Sequence, residues 1–123
     1  MPEVVSFSAM PLNMTIDRLN PSSAVVTIHG ALTLGTNLRI LEANVQQLIG
    51  EGVQRLVLDL SDCNYADSAG LGFLIHTYGL VVKHSGTMRL CGLQEQVAGL
   101  LKMTQTESFL ICDANREASL ERI

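Results

Sequence analysis

The sequence of 123 residues contains no tryptophan, and it has only three prolines and three cysteines. Cys63, Cys91 and Cys112 are odd in number and far apart, with neither the paired spacing of a zinc site nor the even count of a disulfide framework. We therefore expect no metal and a reducing, cytoplasmic compartment. The N-terminal run Met1-Pro2-Glu3-Val4 lacks the basic segment and the apolar stretch of a signal peptide, and no window approaches about 18 apolar residues, so we expect no membrane insertion.

Basic residues are also scarce, since 8 Lys and Arg face 12 Asp and Glu and give a net charge of −4. They are scattered along the chain rather than grouped. Binding to nucleic acid requires clustered positive charge that neutralises phosphates. The composition therefore argues against a nucleic-acid partner and against an anionic membrane surface.

What the chain does contain is apolar sequence, at 47% hydrophobic residues, which is enough to form the core of one α/β domain over residues 1–123. A turn at residues 20–23 separates the apolar runs 14–19 and 24–29. The second run is rich in β-branched residues, as is typical of strands. Residues 14–29 are therefore predicted to form a β-hairpin.

Beyond the hairpin, strands and helices alternate. Leu38, Leu41, Val45 and Leu48 recur at helical spacing, and this helix should end at the glycines of residues 50–52. The short apolar run 56–60 predicts a strand buried on both faces. Further predicted elements are a helix over 68–85 with an apolar face, strand 88–91, a helix around Val97, Leu100 and Leu101, strand 109–112, and a terminal helix capped by Asp113 or Asn115. The apolar face of the helix over 68–85 is predicted to consist of Leu71, Leu74, Ile75, Tyr78, Val81 and Val82.

The loop from 61 to 67, after the most buried strand, leads into the segment 64–72, where functional loops of open α/β sheets lie. Asp67 or Ser68 can act there as a simple helix N-cap. Gly70 and Gly72, however, weaken the first helical turn by up to about 1 kcal/mol each relative to alanine, which suggests close approach of another backbone or of a partner. A phosphate on Ser68 would also meet the positive end of the helix dipole.

The run Asp67-Ser68-Ala69-Gly70-Leu71-Gly72 after strand 56–60 resembles the signature of the STAS domain, the family that includes anti-sigma factor antagonists. The resemblance extends from about residue 24 to the C-terminus. It implies a mixed β-sheet with helices packed mainly on one face. It also implies a bacterial partner-switching role, in which the unphosphorylated protein binds an anti-sigma factor that is a serine kinase, so that a sigma factor is released. Phosphorylation of Ser68 would end that binding.

The partner surface that this resemblance implies joins the motif to the turn after the second strand. Antagonists usually carry an acidic residue in that turn, where this chain has Thr33. Leu32 and Leu34 are candidate apolar contacts, with ordinary core positions as the alternative. Asp59, Asp62 and Asp67 would add negative potential if the loop brought them together. The predicted partner-binding residues are Asp67, Ser68, Ala69, Gly70, Leu71, Gly72, Leu32, Thr33 and Leu34.

There are three alternative functions. An enzyme is not favoured, because His76 and His84 lie two helical turns apart and Cys91 ends a strand, as a buried thiol would. A nucleotide site is not favoured either, because Gly70 and Gly72 are followed by neither a lysine nor a third spaced glycine, so no cofactor is expected. The third alternative keeps the fold and makes the chain a STAS subunit of a lipid-transport or stress-sensing complex.

Overall fold

The computed structural model describes residues 3–5 and 12–123. Six strands form one sheet in the order β1-β2-β3-β4-β5-β6. The first three strands are antiparallel, and the pairs from β3 to β6 are parallel. The strands are β1 (Glu3–Val5), β2 (Asn13–Asn20), β3 (Ser23–His29), β4 (Arg55–Asp62), β5 (Thr87–Cys91) and β6 (Cys112–Asp113).

In the part of the chain that the structure describes, four α-helices and one 3-10 helix connect or follow these strands. They are α1 (Thr36–Gly50), α2 (Ser68–Lys83), α3 (Glu95–Met103), a 3-10 helix (Thr106–Ser108) and α4 (Arg116–Arg122). Within the described ranges, none of these helices is both long and apolar enough to cross a lipid bilayer.

The predicted hairpin is confirmed by β2 and β3, which pair with Met14 opposite Ile28 and Ile16 opposite Val26. All four side chains are buried, whereas the intervening Thr15 is only half-buried. This alternation places one face of the hairpin against the core.

The two faces of the sheet are covered by hydrophobic cores of different size. Val26, Leu58 and Leu90 face a large core that includes residues of α1, α2 and α3. The residues next to them in sequence (Val25, Val57 and Cys91) form a second, small cluster with Leu120 and Ile123 from the α4 end of the chain. Because successive strand residues point to opposite faces, α4 covers the other side of the sheet. The expected mixed sheet with helices mainly on one face is confirmed.

The end of the chain differs from expectation. Phe109 follows the 3-10 helix and packs against Tyr78, with ring centroids 5.2 Å apart, so the predicted strand 109–112 is wrong and β6 begins only at Cys112. The 3-10 helix directs this segment over α2 before it reaches the sheet. Asn115, not Asp113, caps α4, because its Oδ1 accepts a hydrogen bond from Ala118 N at 2.9 Å.

The predicted apolar face of α2 is partly wrong. Ile75 and Val82 are 37% and 51% exposed, whereas Phe73 and Thr77 are buried. The helix packs along Gly70, Phe73, Thr77 and Val81, a line that contains a glycine and a threonine and is therefore less apolar than the neighbouring one. Its last residue is Lys83, two residues before the predicted end, and β4 runs to Asp62, so the predicted loop is shorter by two residues.

Candidate functional site at the start of helix α2

Two loops meet at the carboxyl ends of β3 and β4. Because these strands are neighbours and parallel, the turn after His29 and the loop after Asp62 leave the sheet side by side. Leu32 N donates to Tyr65 O at 2.9 Å, and Asp67 N donates to Leu32 O at 3.1 Å, which forms a short parallel bridge. We call residues 30–35 and 63–72 together the loop edge. It brings the predicted turn and the predicted motif into direct contact.

Asp67 connects the two halves of the loop edge through its carboxylate. Oδ1 accepts a hydrogen bond from Gly70 N at 2.9 Å, which caps α2, and Oδ2 accepts one from Leu34 N at 3.0 Å. The hydrogen bond from Leu34, followed by that from Gly70, lowers the pKa of Asp67 below its usual value. Asp67 is therefore the N-cap and an ionised carboxylate at neutral pH.

Ser68 is the first residue of α2, and it is exposed. Because Asp67 provides the cap, the serine hydroxyl has no structural bond to make, and it has no hydrogen-bond partner within residues 12–123. Asp67 and Ser68 could each have capped the helix. The side chain of Asp67 is hydrogen-bonded within the fold, whereas that of Ser68 is exposed to solvent.

The surroundings of the two glycines of the motif differ. A Cβ built on Gly70 would overlap the Leu32 carbonyl oxygen and lie 2.8 Å from Leu32 Cβ, so the expected close approach of another backbone occurs here. Nothing lies within 4 Å of the equivalent atom on Gly72, which is exposed. The first glycine is explained by packing within the chain, and the second is not.

Of the nine predicted partner-binding residues, three are buried and six have accessible surface. Leu32 is fully buried and Leu71 is 8% exposed, and Gly70 packs against the turn, so these three belong to the core and offer a partner almost no side-chain surface. For Leu32 the core alternative therefore applies. Leu34, in contrast, is 76% exposed. The predicted residues with accessible surface are Thr33, Leu34, Asp67, Ser68, Ala69 and Gly72.

The three aspartates do not form a common acidic site. Asp59 faces the α4 side of the sheet, where it lies 3.7 Å from Arg116 Nε. Asp62 pairs with His29, whose other ring nitrogen lies 3.0 Å from Thr15 Oγ1. Only Asp67 stands beside Ser68, and it alone can add negative charge next to the serine.

Two residues of this region were not among the predicted partner-binding residues. Gln96, at the start of α3, accepts a hydrogen bond from Ala66 N at 2.8 Å and donates one to Ala66 O at 3.0 Å. Tyr65, in the loop itself, is 45% exposed. A glutamine in the first turn of a helix is an ordinary surface residue, and its partner lies 30 positions away, so no sequence pattern marked it.

The other candidate reactive residues lie elsewhere. Cys91 is buried, and this burial raises the pKa of its thiol to about 12, so it is a neutral core residue. His76 and His84 are exposed and contact Gln46 and Leu80 O respectively. Within the described part of the chain, no three His, Cys, Asp or Glu side chains come together as a metal site would require.

The fold and the loop edge together define a small mixed α/β domain that presents an unbonded serine at a helix start. The family model of the STAS domain matches residues 15–119. The chain therefore belongs to the STAS domain family.

Several known proteins are similar to the chain. The anti-sigma-B factor antagonist of Bacillus subtilis (strain 168) is 26% identical over 111 residues, which are 89% of this chain and 100% of the relative. The crystal structure of an anti-sigma factor antagonist from Mycobacterium paratuberculosis superimposes with a TM-score of 0.78 at 18% identity, covering 91% of this chain and 93% of the other.

Two further structures show proteins named SpoIIAA, one unphosphorylated and the other, from Bacillus, phosphorylated. The anti-sigma factor antagonist in its unphosphorylated form has a TM-score of 0.70 at 15% identity, over 89% of this chain and 96% of the other. The phosphorylated form has a TM-score of 0.72 at 14% identity, over 89% and 97%. Both structures have the fold described above.

Proposed function

We propose that the chain is a cytoplasmic anti-sigma factor antagonist that acts by binding and not as an enzyme. In its unphosphorylated state it binds an anti-sigma factor that is a serine kinase, and a sigma factor is released. Phosphorylation of Ser68 by that kinase ends the binding. The observation that carries this proposal is the exposed, unbonded Ser68 hydroxyl at the start of α2. The name of the Bacillus subtilis relative supports it.

The site explains how one phosphate can end binding. A phosphate adds a charge of about −1.5 to −2 and three hydrated oxygens. In unmodified α2 the Gly70 N–H is bonded to Asp67, so the carboxylate already occupies a donor that would otherwise stabilise the phosphate. Two anionic groups then compete for the same end of the helix dipole. Transfer of both into a dry interface is costly, and the partner dissociates.

The fold does not have to change for this mechanism. Ser68 lies on the surface, whereas Gly70, Leu71 and Leu74, which follow it in α2, are buried. The phosphorylated and unphosphorylated SpoIIAA structures have the same fold. Inhibition therefore acts through charge and desolvation at the surface of the loop edge.

The accessible part of the loop edge is the proposed contact surface. Leu34 and Tyr65 provide exposed apolar area on the two sides of the Leu32 bridge, and Gly72 leaves an open strip on α2. Thr33, where antagonists usually have a carboxylate, makes this turn neutral. We expect the complementary patch on the kinase to be correspondingly less basic.

Capture of the partner tests the proposal. Tagged Ser68→Ala and Ser68→Asp variants are expressed in the native cells, and bound proteins are identified by mass spectrometry. The Ser68→Ala protein should retain an anti-sigma kinase, and the Ser68→Asp protein should lose it, because the aspartate places a second negative charge beside Asp67. A Ser85→Asp variant, which adds the same charge at the far end of α2, is the matched control and should bind as the wild type does.

The same samples distinguish the remaining outcomes. Wild-type protein should carry phosphate on Ser68, and phosphate on a different serine with Ser68 unmodified would contradict the proposal. Recovery of a lipid-transport complex or a large stress-sensing assembly in place of a kinase would establish the alternative, in which the chain is a STAS subunit of that complex.

A further inference from the structure

Gln96 bonds to both backbone groups of Ala66, a residue of the loop edge just before α2. Its side-chain amide accepts from Ala66 N at 2.8 Å and donates to Ala66 O at 3.0 Å. This is the pattern that a neighbouring β-strand would supply, but here a single side chain from α3 supplies it. Ala66 is 1% exposed, so water cannot easily replace these bonds.

The two sides of the loop are thus held by different parts of the chain. On one side, Tyr65 O and Asp67 N bond to Leu32 of the turn. On the other side, Gln96 bonds to Ala66. A buried backbone N–H and C=O without partners are unfavourable, so the loop without Gln96 would have to move to find other partners or water. Ser68 begins the helix only two residues further on.

We infer that Gln96 is a positioning residue for the phosphorylation motif, an inference that rests on the proposed function. Its amide holds residues 65–67 against the turn, so that Ser68 and Leu34 are presented to the kinase in a fixed arrangement. The hydrogen bonds of its side chain go to Ala66 and not to Ser68. It acts through the loop.

A positioning role predicts a particular division of kinetic effects. A loop that is mobile in the free protein has to be ordered when the partner binds, and this cost weakens binding. Once the complex has formed, the serine is in the same place. Loss of Gln96 should therefore raise KM for phosphorylation of Ser68 and leave kcat nearly unchanged.

The experiment uses Gln96→Ala, Gln96→Glu and Gln94→Ala in the full chain. Gln94 is the matched control, because its amide also donates to a backbone oxygen, that of Ser61, but this lies in strand β4 and outside the motif loop. Gln96→Glu retains the acceptor for Ala66 N and loses the donor to Ala66 O, so its effect should be partial. Each protein is first tested by amide hydrogen exchange and then as a substrate of the kinase recovered with the Ser68→Ala protein.

For Gln96→Ala we expect exchange at Ala66 and Asp67 and the KM for phosphorylation each to rise about tenfold, which corresponds to about 1.4 kcal/mol, or about 0.7 kcal/mol for each of the two lost hydrogen bonds. Gln94→Ala should change neither. Unchanged exchange at Ala66 would overturn the inference without any reference to the kinase. Faster exchange together with an unchanged KM would overturn it while the proposed function stood. Failure of the wild type to become phosphorylated on Ser68 would instead refute the proposed function, and the inference with it.

Discussion

Asp67 of the loop edge bonds to backbone groups, whereas Asp113, near the C-terminus, bonds to other side chains. Asp113 accepts hydrogen bonds from Arg89 Nε at 2.7 Å and Nη2 at 3.2 Å, and from Ser119 Oγ at 2.7 Å. Arg122 Nη1 lies 3.5 Å from the same carboxylate. We call these four residues the C-terminal clasp. It ties β5, β6 and α4 together through one carboxylate that is only 5% exposed.

Polar side chains thus have different roles in the C-terminal clasp and at the loop edge. In the C-terminal clasp every charged group is paired inside the chain. At the loop edge Asp67 and Gln96 satisfy the backbone, and the side chains of Ser68 and Leu34 remain unbonded or exposed. We therefore expect substitutions in the C-terminal clasp to change stability alone, and substitutions of Ser68 and Leu34 to change binding alone.

Asp113→Ala should have the largest effect on stability. It leaves Arg89, whose side chain is 22% exposed, without its carboxylate, and it removes the bond to Ser119. Removal of one partner from a largely buried ion pair costs about 3 kcal/mol. Urea unfolding followed by circular dichroism measures the change. Arg122→Ala, which removes a 56% exposed partner, should cost less than about 1 kcal/mol.

The clasp also predicts the sign of a pH effect. The hydrogen bond from Arg89 lowers the pKa of Asp113 below its usual value. A lowered carboxyl pKa stabilises the fold above the unfolded-state pKa of about 4, and this stabilisation is lost as the pH falls through the folded-state pKa. The stability difference between the wild type and Asp113→Asn should therefore shrink below about pH 4. A constant difference from pH 7 to pH 3 would mean that the clasp is held by packing and not by charge.

Gly70→Ala should have the next largest effect, because the loop edge has one position that is also core. The added methyl group would overlap Leu32 O, and overpacking of this kind typically costs about 2 kcal/mol. Gly72→Ala is the matched control: it has open space around it and should gain up to about 1 kcal/mol in helix stability. Both are measured by urea unfolding. Equal effects of the two substitutions would contradict the described contact between the turn and α2.

The same contrast explains what the sequence could predict. The hairpin, the central parallel strands and the motif helix follow from local periodicity, and each was found. Gly70 was recognised as unusual because its cost in a helix is local. Its cause, the Leu32 carbonyl, lies 38 positions away. Local sequence also does not show that Leu32 is buried whereas Leu34 is exposed.

The errors have the same origin. The strand predicted over 109–112 failed because the 3-10 helix directs Phe109 to Tyr78, a contact 31 positions away that no local pattern shows. Gln96 was missed for the equivalent reason. Local sequence thus predicts the elements and the position of the motif, whereas long-range hydrogen bonds decide which of its residues remain accessible.

The smallest expected effect, that of Ser68→Ala on stability, is the sharpest test of this division. Asp67 and Ser68 are neighbours at the start of α2, and either type of residue can cap a helix. Here Asp67 has both bonds, to Gly70 N and Leu34 N, and the serine hydroxyl has none. Asp67→Ala should therefore cost about 1 kcal/mol in urea unfolding, whereas Ser68→Ala should change stability by less than about 0.5 kcal/mol. If Ser68→Ala destabilised the protein as much as Asp67→Ala, the hydroxyl would be part of the fold. A phosphate on it would then have to disrupt the helix start, and the proposed switch would act through the structure rather than through charge on an intact surface.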